Sequence, residues 1–353
     1  MRTPDAGIQP QAATDERGVV HLVYLKGEPA GCDIYYVHTS LGQTNFSKPL
    51  KVNSRPGSAI ALGTIRGAQL AVGRNGRVHV AWNGHAPEKG SYKDAPMLYA
   101  RLNDAGTAFE PERNVIASAG GLDGGGSVAA DNAGNVFVMW HAPKPGDTNG
   151  ESGRAVFEAL SKDDGKTFAP EKLATEKATG ACGCCGMRAF ADAHGNLFAV
   201  YRGATEMTNR DEILLMSRDR GADFEVRYEH HWSISSCPMS SAFLSESTTG
   251  VLAAAETHGR VYYVRVAPAT GKISEPISPE TPGKHPVVIA NSRGDTLLVW
   301  TEGTAWAKGG RVAWQLYSPD DKPASEIGRA EGLPVWSMAA AFAQPRGDFI
   351  IVY

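Results

Sequence analysis

The chain has 353 residues, 40 of them glycine and 21 proline, and a formal charge of -3. That charge gives no electrostatic basis for gripping nucleic acid or an anionic membrane surface, and no apolar run is long enough to span a bilayer. The start, Met1-Arg2-Thr3-Pro4, has no apolar signal core. It fits either a cytosolic protein or one whose leader has been removed; the Asn-, Thr- and Gly-rich loops and the cysteines described below favour the second, a secreted or periplasmic protein.

One phrase recurs along the chain: a short apolar run, a turn ending in Gly, then a β-rich run that often closes on an aromatic residue. It is first read at Gln11 to Gly18 followed by Val19 to Tyr24, then with Gly76 and Trp82. The third copy has Gly134 and Trp140, with further alternating strands at Ala155 to Leu160 and Lys172 to Ala174. The fourth has Gly195 and Tyr201-Arg202, then strands at Glu212 to Met216 and Glu225 to Tyr228. A weaker fifth has Gly250, the sixth has Gly294 and Trp300, and the seventh, ending at Gly347 and Tyr353, supplies two strands. Alternation bounded by Gly and Pro marks strands. A strand-built repeat of roughly 45–60 residues predicts an all-β propeller, six or seven four-stranded blades in one domain over residues 1–353.

A second motif lies between third and fourth strands. Ser161-Lys162-Asp163-Asp164-Gly165-Lys166-Thr167-Phe168 and Ser217-Arg218-Asp219-Arg220-Gly221-Ala222-Asp223-Phe224 both read Ser-x-Asp-x-Gly-x-x-aromatic, and Asn103 to Phe109 is a degenerate copy. The carboxylate can accept N–H groups across the turn, the Gly permits positive φ, and the aromatic plugs the blade. This is a folding device rather than a catalytic one.

With these motifs, the chain resembles the sialidase-like, Asp-box propellers over essentially its whole length, in particular a subgroup with a Cys-x-Cys-Cys segment. The resemblance implies six blades and ligand binding at the channel mouth, on the face where first strands begin and second strands end. Residues placed there include Arg66, Arg188, His85, His141, Arg202, Glu256 and Glu302. Sialidases clamp a substrate carboxylate with three arginines, whose planar forks match it, and use a Tyr nucleophile paired with Glu and an Asp acid/base. By this resemblance Arg66, Arg188 and Arg202 would hold an anion, and His85, His141, Glu256 and Glu302 would line the pocket. The segment Tyr201-Arg202 followed by Asn209-Arg210-Asp211 also resembles relatives that carry the cysteine segment. The departures are specific: no Arg-Ile-Pro motif opens the chain, where Gln9-Pro10-Gln11 stands, and no Tyr opens a late first strand. Tyr317 falls on the opposite face, so the catalytic residues stay unassigned.

The segment Ala181-Cys182-Gly183-Cys184-Cys185-Gly186-Met187-Arg188 precedes the fourth blade, and Cys237-Pro238-Met239 precedes the fifth. The repeat therefore brings four of the five cysteines to one place, with Cys32 farther round the same face. Three chemistries fit: two disulfides, with crosslinks to Cys237 favoured over a strained Cys184–Cys185 bond; a thiolate site for copper or zinc, with Met187, Met239 and His141 suiting soft copper; or a redox-active thiol pair.

The expected function is an extracytoplasmic propeller that binds, and in one version hydrolyses, a carbohydrate or small anionic ligand. The alternatives are a copper-type metal or redox protein and a non-catalytic protein-interaction module. The long segments Asn83 to Pro96 and Ala142 to Gly153 read as pocket walls or plain surface loops, while His21 and His79 sit inside strands and pack.

Overall fold

The computed structural model describes residues 1–43, 45–85 and 95–353. Four antiparallel strands in chain order make the first blade: β1 (Ile8–Thr14), β2 (Val19–Glu28), β3 (Gly31–Ser40) and β4 (Leu50–Lys51). The second is β5 (Gln69–Val72), β6 (Val78–Asn83), β7 (Met97–Arg101) and β8 (Arg113–Asn114). The third is β9 (Gly126–Ala130), β10 (Val136–Pro143), β11 (Arg154–Ser161) and β12 (Lys172–Leu173); the fourth is β13 (Arg188–Ala191), β14 (Leu197–Arg202), β15 (Glu212–Ser217) and β16 (Glu225–His230). The fifth has β17 (Phe243–Ser247), β18 (Gly250–Thr257) and β19 (Arg260–Val266), with bridges at Ile273 and Ile277 supplying its outer edge. The sixth is β20 (Lys284–Ala290), β21 (Thr296–Glu302), β22 (Gly310–Tyr317) and β23 (Gly328–Leu333).

A seventh sheet has two strands, β24 (Ala340–Ala343) and β25 (Phe349–Val352). Phe342 packs with the first blade and Ala341 with the sixth, so this pair closes the ring. The first residues add to its edge: Thr3 N–H donates to Tyr353 O at 2.9 Å and Tyr353 N–H to Met1 O at 3.1 Å. The Arg2 guanidinium lies 4.5 Å from the centre of the Tyr353 ring. The seven repeat starts are thus six blades and a smaller seventh sheet.

The cores lie between neighbouring blades. Val23 and Ile34 of the first pack with Val80 and Trp82 of the second. Trp82, Trp140 and Trp300, which close the repeated phrase, are fully buried wedges. Each buries on the order of 4–6 kcal/mol of apolar surface, and Trp140 Nε1–H still finds Ala119 O at 2.9 Å. The repeated Gly has a physical cause: Gly18, Gly76, Gly134, Gly195, Gly250, Gly294 and Gly347 all have positive φ, from 71° to 139°, a region that a side chain strains. The turn is locked by its first residue. Asp192 Oδ1 accepts from His194 N–H at 2.9 Å and Asn196 N–H at 2.8 Å, and Asp15, Asp131 and Asn291 do the same two and four residues on.

The two Ser-x-Asp-x-Gly turns share a second geometry. Ser161 Oγ–H donates to Asp163 Oδ1 at 2.7 Å while accepting from Gly165 N–H at 2.9 Å, and Phe168 packs edge-on against Tyr99 of the preceding blade. Ser217, Asp219 and Gly221 repeat these bonds at 2.7 and 2.8 Å, and Phe224 is buried. His21 and His79 are packed, each bonded to a tyrosine hydroxyl, Tyr36 at 2.8 Å and Tyr99 at 2.7 Å.

Candidate functional site at the channel mouth

The loops preceding the first strands converge at one end of the axis. Most place a residue of positive φ there: Gln9, Thr64, Gly125, Met239, His285 and Trp336. At Gln9 and His285 this conformation coincides with a shift in strand register, a bulge that re-aims the chain as it turns inward. Gln9 Nε2–H bonds to Ala61 O at 2.6 Å and Trp336 O at 2.8 Å, tying the second blade to the seventh sheet. His285 lies between Thr64 Oγ1 at 3.2 Å and Ser241 Oγ at 3.0 Å. Burial lowers its pKa to about 3, so the ring is neutral at physiological pH.

Two tryptophans crown this mouth. Trp306, on the loop between β21 and β22, is 60% exposed and meets Trp336 edge-on with ring centroids 6.3 Å apart. Gly63 is packed so closely beside Trp306, Met239 and Arg66 that a Cβ there would lie 3.2 Å from the first two and 3.5 Å from the guanidinium. The bare backbone of Gly63 keeps these three side chains together.

The three arginines of the expected clamp face separate partners. Arg66, half-buried, bonds Asp123 Oδ1 at 2.5 Å and Asp123 O. Arg202, fully buried, pairs with Glu212 at 2.7 Å and donates to Ser240 Oγ at 3.1 Å and to Glu256 O, with Trp232 stacked 4.9 Å away. Arg188 turns down the axis, bonding Gln11 Oε1 at 3.0 Å and Gln69 Oε1 above the Phe243 ring. Burial lowers it to about 10, and its Nε has no hydrogen-bond partner. It lines a channel of about 760 Å³ whose other lining residues come from inner strands and the first turns, at the end away from the mouth. A three-arginine clamp requires the forks to converge, and strand ends a few residues apart on three blades do not ensure that.

The carboxylates also separate. Burial raises Glu256 to about 7 against the pull of Lys284 and Arg202; its Oε2 is buried without a partner, and Lys284 lies 3.9 Å from Oε1. Glu212 is raised to about 7 by burial, which outweighs Arg202. Glu302 behaves oppositely. Burial works against its ionisation, but hydrogen bonds from Arg329, Arg311 and Thr281 hold it at about 2, so it clasps the outer strands of the sixth blade. His141 is buried, with Nε2 3.2 Å from Cys185 O and Nδ1 3.1 Å from Arg154. Burial and the Arg154 charge lower it to about 3. It braces the cysteine loop and presents neither nitrogen to a pocket. His85 is exposed, its N–H on Ser58 O at 2.9 Å; most of the wall expected from Asn83 to Pro96 lies outside the described residues.

The cysteines meet as the repeat predicts. Cys184 and Cys237 form a disulfide between the fourth and fifth blades, with Cα atoms 6.6 Å apart. Of the two expected disulfides one is formed, and Cys182 and Cys185 are free and buried. Cys182 Sγ lies 3.3 Å from Cys184 Sγ. Burial acts to raise Cys185, but its hydrogen bond with Cys182 and the Arg202 charge bring it down to about 6, while that hydrogen bond and burial raise Cys182. The loop is held by Glu151, which accepts from Gly183 N–H and from Arg210, both at 2.7 Å. Cys32 is apart, its thiol on Ala59 O.

Several parts of this mouth were not assigned from sequence: Trp306, Asp123, Glu151, Glu212 and Ser241. An aromatic inside the Thr304-Ala305-Trp306-Ala307-Lys308-Gly309 loop was the one legible signal. The acids are recognisable only once their arginines are placed.

No protein-family model and no curated protein sequence matches the chain. Its similarity to solved structures is one of fold. The Hadza microbial sialidase Hz136 superposes with a TM-score of 0.57 at 13% identity, over 89% of this chain and 69% of that one. The Penicillium chrysogenum α-L-arabinanase complexed with arabinobiose gives 0.56 at 14% identity, over 91% and 95%. The Fusarium graminearum α-L-arabinofuranosidase Arb93A, in complex with an iminosugar inhibitor, gives 0.58 at 11%, over 91% and 95%. The architecture is that of the sialidase-like propellers.

Proposed function

We propose that this protein is an extracytoplasmic propeller that binds a carbohydrate or other small anionic ligand at the channel mouth. The observation that carries the reading is the exposed Trp306 face beside Trp336, with the Arg66–Asp123 pair alongside. Sugar rings present apolar C–H faces that stack on indole, and their hydroxyls or carboxylates bond a guanidinium and a carboxylate. The likeness in fold to carbohydrate-active propellers supports this reading, as does the disulfide, which suits an oxidising compartment. Among the described residues no helix is long and apolar enough to cross a membrane.

A glycan array followed by calorimetry tests the proposal. Saccharide hits are expected, with Trp306→Ala weakening the best of them by about 2 kcal/mol and Arg66→Ala selectively weakening acidic sugars. An array without hits, or hits indifferent to Trp306→Ala, would reject it. Hydrolysis is a second reading, favoured by Glu256, whose Oε2 is buried without a hydrogen-bond partner and whose carboxyl burial raises toward the range of acid/base work. It predicts that Glu256→Gln abolishes turnover while leaving binding intact.

A further inference from the structure

The cysteine cluster lies beside the mouth but takes no part in ligand binding as proposed above. The sulfurs of Cys182, Cys184 and Cys185 lie within 4.8 Å of one another. The cluster is graded in exposure. Cys237 is exposed, Cys184 half-buried, and Cys182 and Cys185 are each 1% exposed. The disulfide thus stands between solvent and two buried thiols. While Cys184 is bonded to Cys237 it has no thiolate to offer, and the trio is one ligand short.

We propose that Cys182, Cys184 and Cys185 form a redox-gated site for a soft monovalent metal ion, Cu(I), which the Cys184–Cys237 disulfide closes. A dithiol reductant opens it, supplying two electrons and two protons to give two thiols and becoming a disulfide itself. The three thiols of the trio then lose their protons as they take up one Cu(I).

The donor set points to copper rather than zinc. Thiolates select Cu(I), whereas structural zinc asks for four ligands in a tetrahedron with wider spacing. Three of these sulfurs fall within four consecutive residues, which suits a compact trigonal set. The nearest imidazole does not complete a tetrahedron, since both His141 nitrogens face other partners. A guanidinium also lies beside the trio, although it is shared with Glu212 at 2.7 Å. Arg202 Nε donates to Ser240 Oγ at 3.1 Å, and that hydroxyl lies 3.8 Å from Cys185 Sγ.

The test is anaerobic competition for Cu(I) against a chromogenic chelator, with circular dichroism to confirm folding. Reduced wild-type protein should withdraw one Cu(I) per chain, and the disulfide form should withdraw none from the same chelator. Cys182→Ser should lose that affinity even when reduced. Cys237→Ser, purified and kept anaerobically so that Cys184 does not oxidise with Cys182 3.3 Å away, should bind without any reductant; a merely structural disulfide predicts no such gain. The proposal is overturned if the reduced protein takes no Cu(I), if the disulfide form binds equally well, or if Zn(II) displaces Cu(I). A folded Cys237→Ser that stays metal-free would also overturn it. Should that variant not fold, the reduced and disulfide wild-type forms decide the matter.

Discussion

The two ends of the propeller differ in how closely their loops repeat. At the turn end one geometry recurs, an acid or amide side chain accepting two N–H groups and a Gly at positive φ. At the mouth the loops diverge into a disulfide, a tryptophan pair, a bulged histidine and a guanidinium–carboxylate pair. Repetition answers a need common to every blade, namely reversing a strand without stranding its backbone groups. Divergence serves one place on the ring, which is where ligand chemistry belongs. Substitutions at the turn end should therefore alter stability, and substitutions at the mouth should alter binding.

The largest effect crosses that division. The disulfide is the mouth's own contribution to stability, and it closes a loop with a sequence separation of 53. In the chain-entropy picture, opening it costs about 4 kcal/mol, readable as a lower urea midpoint with reductant. An unchanged midpoint would place the mouth loops outside the cooperative unit. Next comes Asp192→Ala, which leaves His194 N–H, Asn196 N–H and Asn196 Nδ2–H without their acceptor. A loss of about 2–3 kcal/mol is expected, with saccharide binding by the folded fraction unaltered.

Glu158 sharpens the contrast through pH. It is buried beneath the second Ser-x-Asp turn, neither oxygen has a partner, and burial raises it to about 8. A carboxyl raised on folding contributes stability that is full below the unfolded value, near 4.5, and lost as pH rises through about 8. Glu158→Gln should remove that slope and stabilise the protein at pH 9 by on the order of 2 kcal/mol; identical pH profiles would refute the assignment. The smallest effect on stability is that of Trp306→Ala, within about 0.5 kcal/mol, against a marked loss of saccharide affinity. Equal losses of stability and affinity would make Trp306 a core residue.

What the sequence disclosed follows the same division. The glycines, the closing tryptophans and the neighbouring cysteine loops were legible because a repeat carries its own register, so residues on different blades can be aligned by counting. That is how the Cys182–Cys185 segment and Cys237 were brought together across the sequence, with the pairing Cys184–Cys237 supplied by the structure. Side-chain direction at strand ends was not legible. His141 and Arg202 leave second strands as His85 does, yet both turn into the protein and find His141–Arg154 and Arg202–Glu212 partners. Arg188 opens its strand where a clamp residue would, but points down the axis to two glutamines. Such pairings depend on twist and bulges, which a count of residues does not record.

The backbone bonds joining Met1 and Thr3 to Tyr353 bear on how the chain acquires its shape. This clasp has a sequence separation far beyond that of any hairpin, so its loop-closure entropy is among the largest in the molecule. Each earlier blade can gather from contiguous residues, leaving the seam between the first and seventh sheets as the slow, final event. Until then the apolar faces that meet at this seam, with Leu22 on one side and Phe342 on the other, stay exposed, and a crowded unfolded protein would be most prone to stick to its neighbours at that stage.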